Sequence, residues 1–539
     1  MRFSAALCPV FALFVVMSSQ ATAIPATDQQ KIIEHIRSLG GSAEVDAKLD
    51  GKPIVKIDLG NTGATDDDLK LLDGLKHLRW LSLWRTFVGN EGLAHLERLS
   101  ALEWLDLGGT RLSDEGVSHL SGLSKLKTLT LFNTHVTDAG LAHLKKLTDL
   151  EDLALSDAPI TGSGLENLVD LKKLKNLHLF RTRLADDGLE HVGKLTSLES
   201  LDLGATHLTD AGLGQLGSLE HLESLILRHT GVKGTQLGRL SKLKKLRSLD
   251  LGFTALSPEG LKNIKSLTSL VRLHLTDTQI DDESLAAVAG LGKLRLLDLG
   301  MTRIGDAGLA HLKALNGLEE LVLLGTQVSD AGLKSLSGLS YLTTLTLADD
   351  EISDDGLVHL ANLTRLVQLE LRHTRVRGPG LENLKKLSLL EVLDLGDTPL
   401  NDAGLAQLKA LTSLVELNLY NTRIDDDGLP ALTALKKLEA LTLVGTRVTD
   451  AGLAAIGKLS SLKALSLLGT SITDEGLAQL KGLKKLEALS LQGTGITDEG
   501  LSELAGLTGL KSLNVADTRV TESGIRQLRE KLPHLHVQR

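Results

Sequence analysis

The sequence predicts an α/β solenoid: a curved stack of about twenty short units, with a parallel β-sheet on the concave face and short helices on the convex face. Three observations predict it. A Leu-x-Leu pair recurs every 24 residues, at Leu81/Leu83, Leu105/Leu107, Leu129/Leu131 and on to Leu489/Leu491 and Leu513/Val515, with Ile57/Leu59 one step earlier. Within each unit the apolar spacing changes from two to three. A threonine follows the pair in 18 of 20 units. A fixed period of this length, without insertion or deletion, means units stacked in a line around one continuous core.

The N-terminal 23 residues read as an export signal. Arg2 supplies a positive start, Ala5 to Met17 is apolar but short for a membrane span, and Ala21-Thr22-Ala23 fits a small-x-small cleavage site, so the mature chain is expected to begin at Ile24. The lone cysteine, Cys8, lies inside this segment. Apolar residues continue past it, against a lipid-anchor reading, and the expected mature chain has no disulfide.

Residues 24–52 read as a helical cap that shields the first layer. Thr27 to Gln30 resembles a capping box. Ile32, Ile33, Ile36 and Leu39 make one apolar helix face, Gly40-Gly41 stops it, and Leu49 to Lys52 turns toward the first strand. Residues 53–526 form the repeats. Residues 527–539 read as the second cap, an amphipathic helix followed by Pro533 and a short strand Leu535-His536-Val537, two residues early for the period.

One unit, residues 78–101, shows the logic. Leu81 and Leu83 alternate with polar neighbours, as in a half-buried strand. Leu93, Leu96 and Leu99 line one side of a short helix. Stacked strands need ~4.8 Å each and packed helices ~8–10 Å, so the helix side is wider and the stack curves. The threonine column supplies hydroxyls to buried backbone groups. Thr/Ser-Asp-x-Gly-Leu, as at Thr137 to Leu141, places a hydroxyl and a carboxylate at the helix start. Lysine pairs such as Lys145-Lys146 match the opposite end of the helix dipole.

L-x-x-L-x-L-x-x-T combined with T-D-x-G-L resembles the leucine-rich repeat over residues 54–537. The helix-start half is similar to the repeats of F-box substrate receptors. The threonine column and the 24-residue length are more similar to exported bacterial repeat proteins. This resemblance implies recognition of a protein or ligand on the concave face. A ubiquitin-ligase adaptor is disfavoured by the export signal and by a cap too short for an F-box.

Net charge is −9 with the charges interspersed, so neither nucleic acid nor an anionic membrane is an expected partner. No apolar run after the signal is long enough to span a bilayer. No cofactor, metal spacing or activated nucleophile is recognisable. Segments such as Gly188 to Lys194 approach a phosphate loop, but leucine follows the lysine where Ser/Thr belongs.

Aromatics are 2% of the chain, and seven of the nine beyond the signal fall at strand positions expected to face the concave side. In the example unit those positions are Trp80, Ser82, Trp84 and Arg85. A first candidate binding patch is Trp80, Trp84, Arg85, Trp104, Asp106 and Phe132. A second is Phe180, Arg181, Arg228, His229, Phe253, Arg272 and His274, with Asp277 nearby. Exposed aromatics on a rigid sheet are typical anchors for a partner. Asp202, Asp250 and Asp298 recur on alternate units beside His274, two units or roughly 10 Å apart, too far to share one metal ion. The expected function is therefore non-catalytic: an exported scaffold binding a protein, peptide or polysaccharide. The alternatives are a structural spacer of envelope or matrix, and an enzyme using the concave acids and histidines.

Overall fold

The computed structural model describes residues 26–539, with side chains from Asp28 onward. The expected export segment and Cys8 lie outside the described residues. The chain forms two compact bodies, one ending at Leu150 and the other spanning Glu151–Arg539.

In the first body, helix α1 (Ala26–Ser38) buries Ile32 and Ile36 and leaves Ile33 and Leu39 partly exposed. It begins one residue before Thr27, so Thr27 is not the helix cap expected from the sequence. Gly40, at φ 89°, turns the chain out of the helix. The next element was not expected: strand β1 (Ser42–Val45) runs antiparallel to β2 (Ile54–Asp58). A reversed strand ends a parallel sheet by blunting its edge. Gln29, buried beneath the hairpin, accepts the Ile54 N–H at 3.1 Å and donates to the Gly51 carbonyl at 3.3 Å. Strands β3 (Trp80–Ser82), β4 (Trp104–Asp106) and β5 (Thr128–Thr130) follow in parallel, each residue opposite its equivalent 24 positions on.

The second body continues the same strand, turn and helix from the strand Asp152–Ala154 to the strand His536–Gln538, all parallel. The last strand keeps the register, with Val537 opposite Leu513. The expected two-residue advance at Leu535 is therefore wrong: Leu535 is a buried residue ahead of the strand, and Val537 takes the first leucine's place. Most of the helices are short turns of α-helix or 3₁₀-helix, as in Asp330–Leu333 followed by Lys334–Leu336, while the last, Glu522–Lys531, runs for ten residues. Leucines three apart suit the three-residue 3₁₀ turn, which aligns them on one side. Leu333, Leu336 and Leu339 are fully buried there.

Two side-chain columns recur along the units, the first bonding within each unit and the second between neighbours. The threonine hydroxyls donate to the carbonyl three residues back, as Thr86 does to Leu83 at 2.7 Å and Thr374 to Leu371 at 2.7 Å. Ala158 and Asp350 interrupt the column. Asp350 is buried. One of its oxygens accepts from the Thr326 N–H (2.7 Å) and hydroxyl (2.9 Å), while the other has no partner. Burial drives its pKa up to about 7, against the pull of the Thr326 hydrogen bonds.

The Asp of T-D-x-G-L forms the second column. It does more than start its own helix: it reaches into the following unit. Asp306 accepts the Ser329 N–H at 2.8 Å and the Ser329 hydroxyl at 2.6 Å, and Asp474 does the same with Thr497. The glycine follows from this reach. A methyl group at Gly332 would overlap the Asp306 carboxylate, and one at Gly500 would overlap that of Asp474.

Candidate functional site

Because strand side chains alternate, the leucines of each pair point into the core and the residues between them face outward. Register then decides which side chains meet. Trp80 lies directly opposite Trp104, and their indoles stack with centroids 4.2 Å apart and planes within 5°. The outer face of Trp80 is taken by Lys56, whose ammonium sits 4.9 Å from the ring centre. The two indoles therefore stand on edge, and most of their faces are engaged by each other and by a cation. Both remain half-buried.

Trp84, also half-buried, carries the Arg85 guanidinium 5.1 Å from its centre. Phe132 lies across Gly108, where a methyl group would overlap its ring. Ser82, expected to face outward, is buried against Gly60. Asp106 folds back to accept the Gly108 N–H at 2.9 Å, and burial raises its pKa, with the Gly108 N–H opposing and Asp58 adding to the rise. Asp106 thus shapes a turn beneath Phe132. The first patch comes together as one surface, joined by Lys56, which the sequence had not singled out.

The second patch divides in two. Phe180 holds two guanidiniums, those of Arg181 at 5.3 Å and Arg228 at 5.2 Å, and Arg181 also pairs with Asp157 at 3.0 Å. His229 and Phe253 stack at 4.5 Å and 13°. Further along, His274 lies 3.6 Å from Asp298. Asp298 raises the His274 pKa, burial opposes it, and Asp250 adds to the rise. Burial alone would raise the Asp298 pKa, but His274 and the Thr276 hydroxyl (2.6 Å) outweigh it and hold the carboxyl ionised. Arg272 is exposed beside His274. Asp202, Asp250 and Asp298 each accept the N–H of a glycine two residues on, at 2.9 Å. Their alternation records a turn rather than a metal site. Among the described residues no three His, Cys, Asp or Glu side chains converge to hold a metal ion.

One position escaped sequence reasoning. The residue following the Trp84 position is left-handed in every unit, with φ from 50° to 69°. It includes Arg85, Arg181, His229 and Phe253 of the candidate site. Gly, Asn or Asp occupies it in 13 of 20 units, the signal that could have revealed it. Toward the C-terminus the strand face becomes plain, with Ala440, Ala464, Ala488 and Ser512 at the strand position that Trp80 holds in its own unit.

A sequence model of the family described as "Leucine Rich repeat" matches residues 194–217, 242–265, 266–289 and 482–505. No curated protein sequence matches the chain. Among solved structures, an internalin from Listeria monocytogenes str. 4b F2365 is 23% identical, covering 66% of this chain and 88% of its own, with a TM-score of 0.46. A Leptospira interrogans LRR protein is 21% identical over 83% of this chain and 92% of its own, at 0.41. TLR13, in its complex with ssRNA13, is 22% identical over 82% of this chain and 67% of its own, at 0.57. These are likenesses of fold. No helix among the described residues is long and apolar enough to cross a membrane.

Proposed function

We propose that this chain, a leucine-rich repeat solenoid, is an exported, non-catalytic scaffold that recognises a protein, peptide or polysaccharide on its strand face. The N-terminal segment with Arg2, the apolar stretch from Ala5 and Ala21-Thr22-Ala23 supports export. One observation carries the recognition reading. All three tryptophans of the chain sit on the strand face of the first body, at Trp80, Trp84 and Trp104, half-exposed and held rigidly by stacking and by two cations. A core filled by leucine layers has no need of them there. Aromatic edges with positioned cations suit a partner's apolar and polar groups together. Asp202, Asp250 and Asp298 each bind the N–H of a glycine two residues on, which supports a turn-shaping role for these acids.

The test is capture from envelope and medium fractions by the full chain, with a glycan array alongside. The replacement of both Trp80 and Trp104 by Ala is expected to abolish capture while the unfolding profile of the second body is kept. Capture that ignores the double variant refutes the reading. Ordered self-assembly without any captured ligand would favour a structural spacer.

A further inference from the structure

The strands of the second body are parallel, so the residues that lead into them line one edge and those that follow them line the opposite edge. Charge is divided between the two edges. Lys172-Lys173 lead into the strand Asn176–His178, and Asp186-Asp187 follow it. Lys244-Lys245 lead into Ser248–Asp250, and Glu259 follows. Lys436-Lys437 lead into Ala440–Thr442, and Asp450 follows. Lys484-Lys485 lead into Ala488–Ser490, and Asp498-Glu499 follow. One strand is reversed at both ends. Glu220 leads into Ser224–Ile226, and Lys233-Gly234 follows in place of the Thr/Ser-Asp of the repeat. The strand Gln368–Glu370 departs from the pattern, with Arg365 before it and Arg377 after it. There Arg365 is drawn aside onto the Tyr341 ring, 4.4 Å from its centre.

Helix dipoles do not account for the lysine pairs. Each pair lies beyond the last helical residue of its unit, which is Leu168, Lys242, Ala434 or Gly482. The dipole acts only within the last turn. Pairing inside the chain does not account for them either. Lys436, Lys437 and Lys485 are exposed and form no ion pair among the described residues. Lys172 and Lys244 donate to the carbonyls of Val169 at 2.7 Å and Ser241 at 2.6 Å, and Lys245 lies 2.9 Å from the His221 ring nitrogen. On the other edge, the clasp between units occupies Asp186 and Asp498. Glu259 and Glu499 take no part in it. Both are exposed, and neither forms an ion pair among the described residues. One edge thus carries cations that the fold does not use, and the other carries such carboxylates.

We propose that copies of this chain stack edge on edge, the lysine edge of one against the carboxylate edge of the next, each displaced along the strand direction in the same orientation. Both edges belong to one row of strands, so their spacing matches strand for strand whatever the curvature. A straight displacement sets Lys172-Lys173 over Asp186-Asp187, Lys244-Lys245 over Glu259 and Lys484-Lys485 over Asp498-Glu499 of the neighbouring copy. It also sets Glu220 over Lys233, so the reversed strand is matched too. That strand fixes the register. A stagger of one strand would set Lys244-Lys245 over Lys233 in one direction and Glu220 over Glu259 in the other, and like charges brought together oppose association. The contact joins two different surfaces without closing, so it continues from copy to copy into an open stack. The strand face stays uncovered in such a stack, and the inference goes beyond the proposed function without depending on it.

The experiment is sedimentation velocity of the full chain across a range of concentrations, at about 10 mM and about 1 M salt, where charges act over ~30 Å and ~3 Å. At low salt the sedimentation coefficient should keep rising with concentration past that of a dimer, and at high salt the chain should be monomeric. Two variants read the contact. One carries Lys244→Glu, Lys245→Glu, Lys484→Glu and Lys485→Glu together. The other carries Glu259→Lys and Glu499→Lys and keeps the clasp. Each alone should associate at least tenfold more weakly than wild type while melting at a similar temperature, and an equimolar mixture should regain association. The wild-type series decides the matter by itself if a variant unfolds. A wild-type chain monomeric at low salt, association that stops at a dimer or survives high salt, or folded variants whose mixture stays as weak as each alone would overturn the proposal. A monomeric chain whose ligand capture depends on Trp80 and Trp104 would defeat this inference and leave the proposed function standing.

Discussion

Asp350 is a carboxyl where 18 of the 20 units place a threonine hydroxyl, and replacing it by threonine should change how stability depends on pH. Its pKa stands at about 7 in the folded chain against an ordinary 3.8. The folded chain therefore binds that proton about a thousandfold more tightly, or about 4 kcal/mol at ~1.4 kcal/mol per tenfold. Well below pH 3.8 the carboxyl is protonated in both states and contributes no pH dependence. As pH rises from 4 to 7 the unfolded chain ionises first, so stability falls, and above 7 the loss is complete. Asp350→Thr removes this loss and lets Thr326 donate to its own Leu323 carbonyl, as its equivalents do. Because a solenoid opens locally, the suitable assay is amide hydrogen exchange around residues 323–350 at pH 5 and pH 8.5, compared between the two proteins. The wild-type segment should lose about 3 kcal/mol of opening free energy between those pH values, relative to the variant, because about two pH units separate pH 5 from the folded value near 7. Equal pH dependence in both proteins, or a variant that opens more readily at pH 8.5, would refute the reasoning.

Other perturbations read the same architecture. Gly332→Ala forces a methyl group against the Asp306 carboxylate and should lower stability by about 1–3 kcal/mol; a melting curve matching wild type would show that the glycine is incidental. Ala205, left-handed at φ 53°, should accept asparagine with a gain of up to about 1 kcal/mol in chemical unfolding, since Asn tolerates that conformation. The His274 imidazole should titrate above 6.5 by NMR, and Asp298→Asn should bring its pKa down. Its contribution to stability is present below about pH 6.5 and lost as pH rises through the raised folded value. An unchanged titration in Asp298→Asn would exclude the pair.

The repeat register and the buried leucines are legible because each obeys a local rule, alternation in the strand and a three-residue step in the helix. The threonine column is legible for the same reason: a buried hydroxyl must reach a carbonyl. What escaped depends on contacts with another strand or unit. Asp306 looks like a helix cap within its own unit, and only the neighbouring Ser329 reveals it as a clasp between units. Strand β1 is short and mostly polar, so nothing in Ser42–Val45 announces a strand until Ile54–Asp58 pairs with it. At the candidate site, membership of the strand face was readable for Trp80 and Trp104. The stacking that turns their edges outward was not, because it arises from register and from Lys56.

Recognition through the strand face can be measured without a label, because every tryptophan of the chain lies there. The direct measurement is acrylamide quenching of tryptophan fluorescence in the full chain, with and without a saturating amount of the captured ligand. A bound partner that covers Trp80, Trp84 and Trp104 should lower the quenching constant at least twofold. A ligand that saturates the protein while quenching stays unchanged would place binding elsewhere and contradict the account.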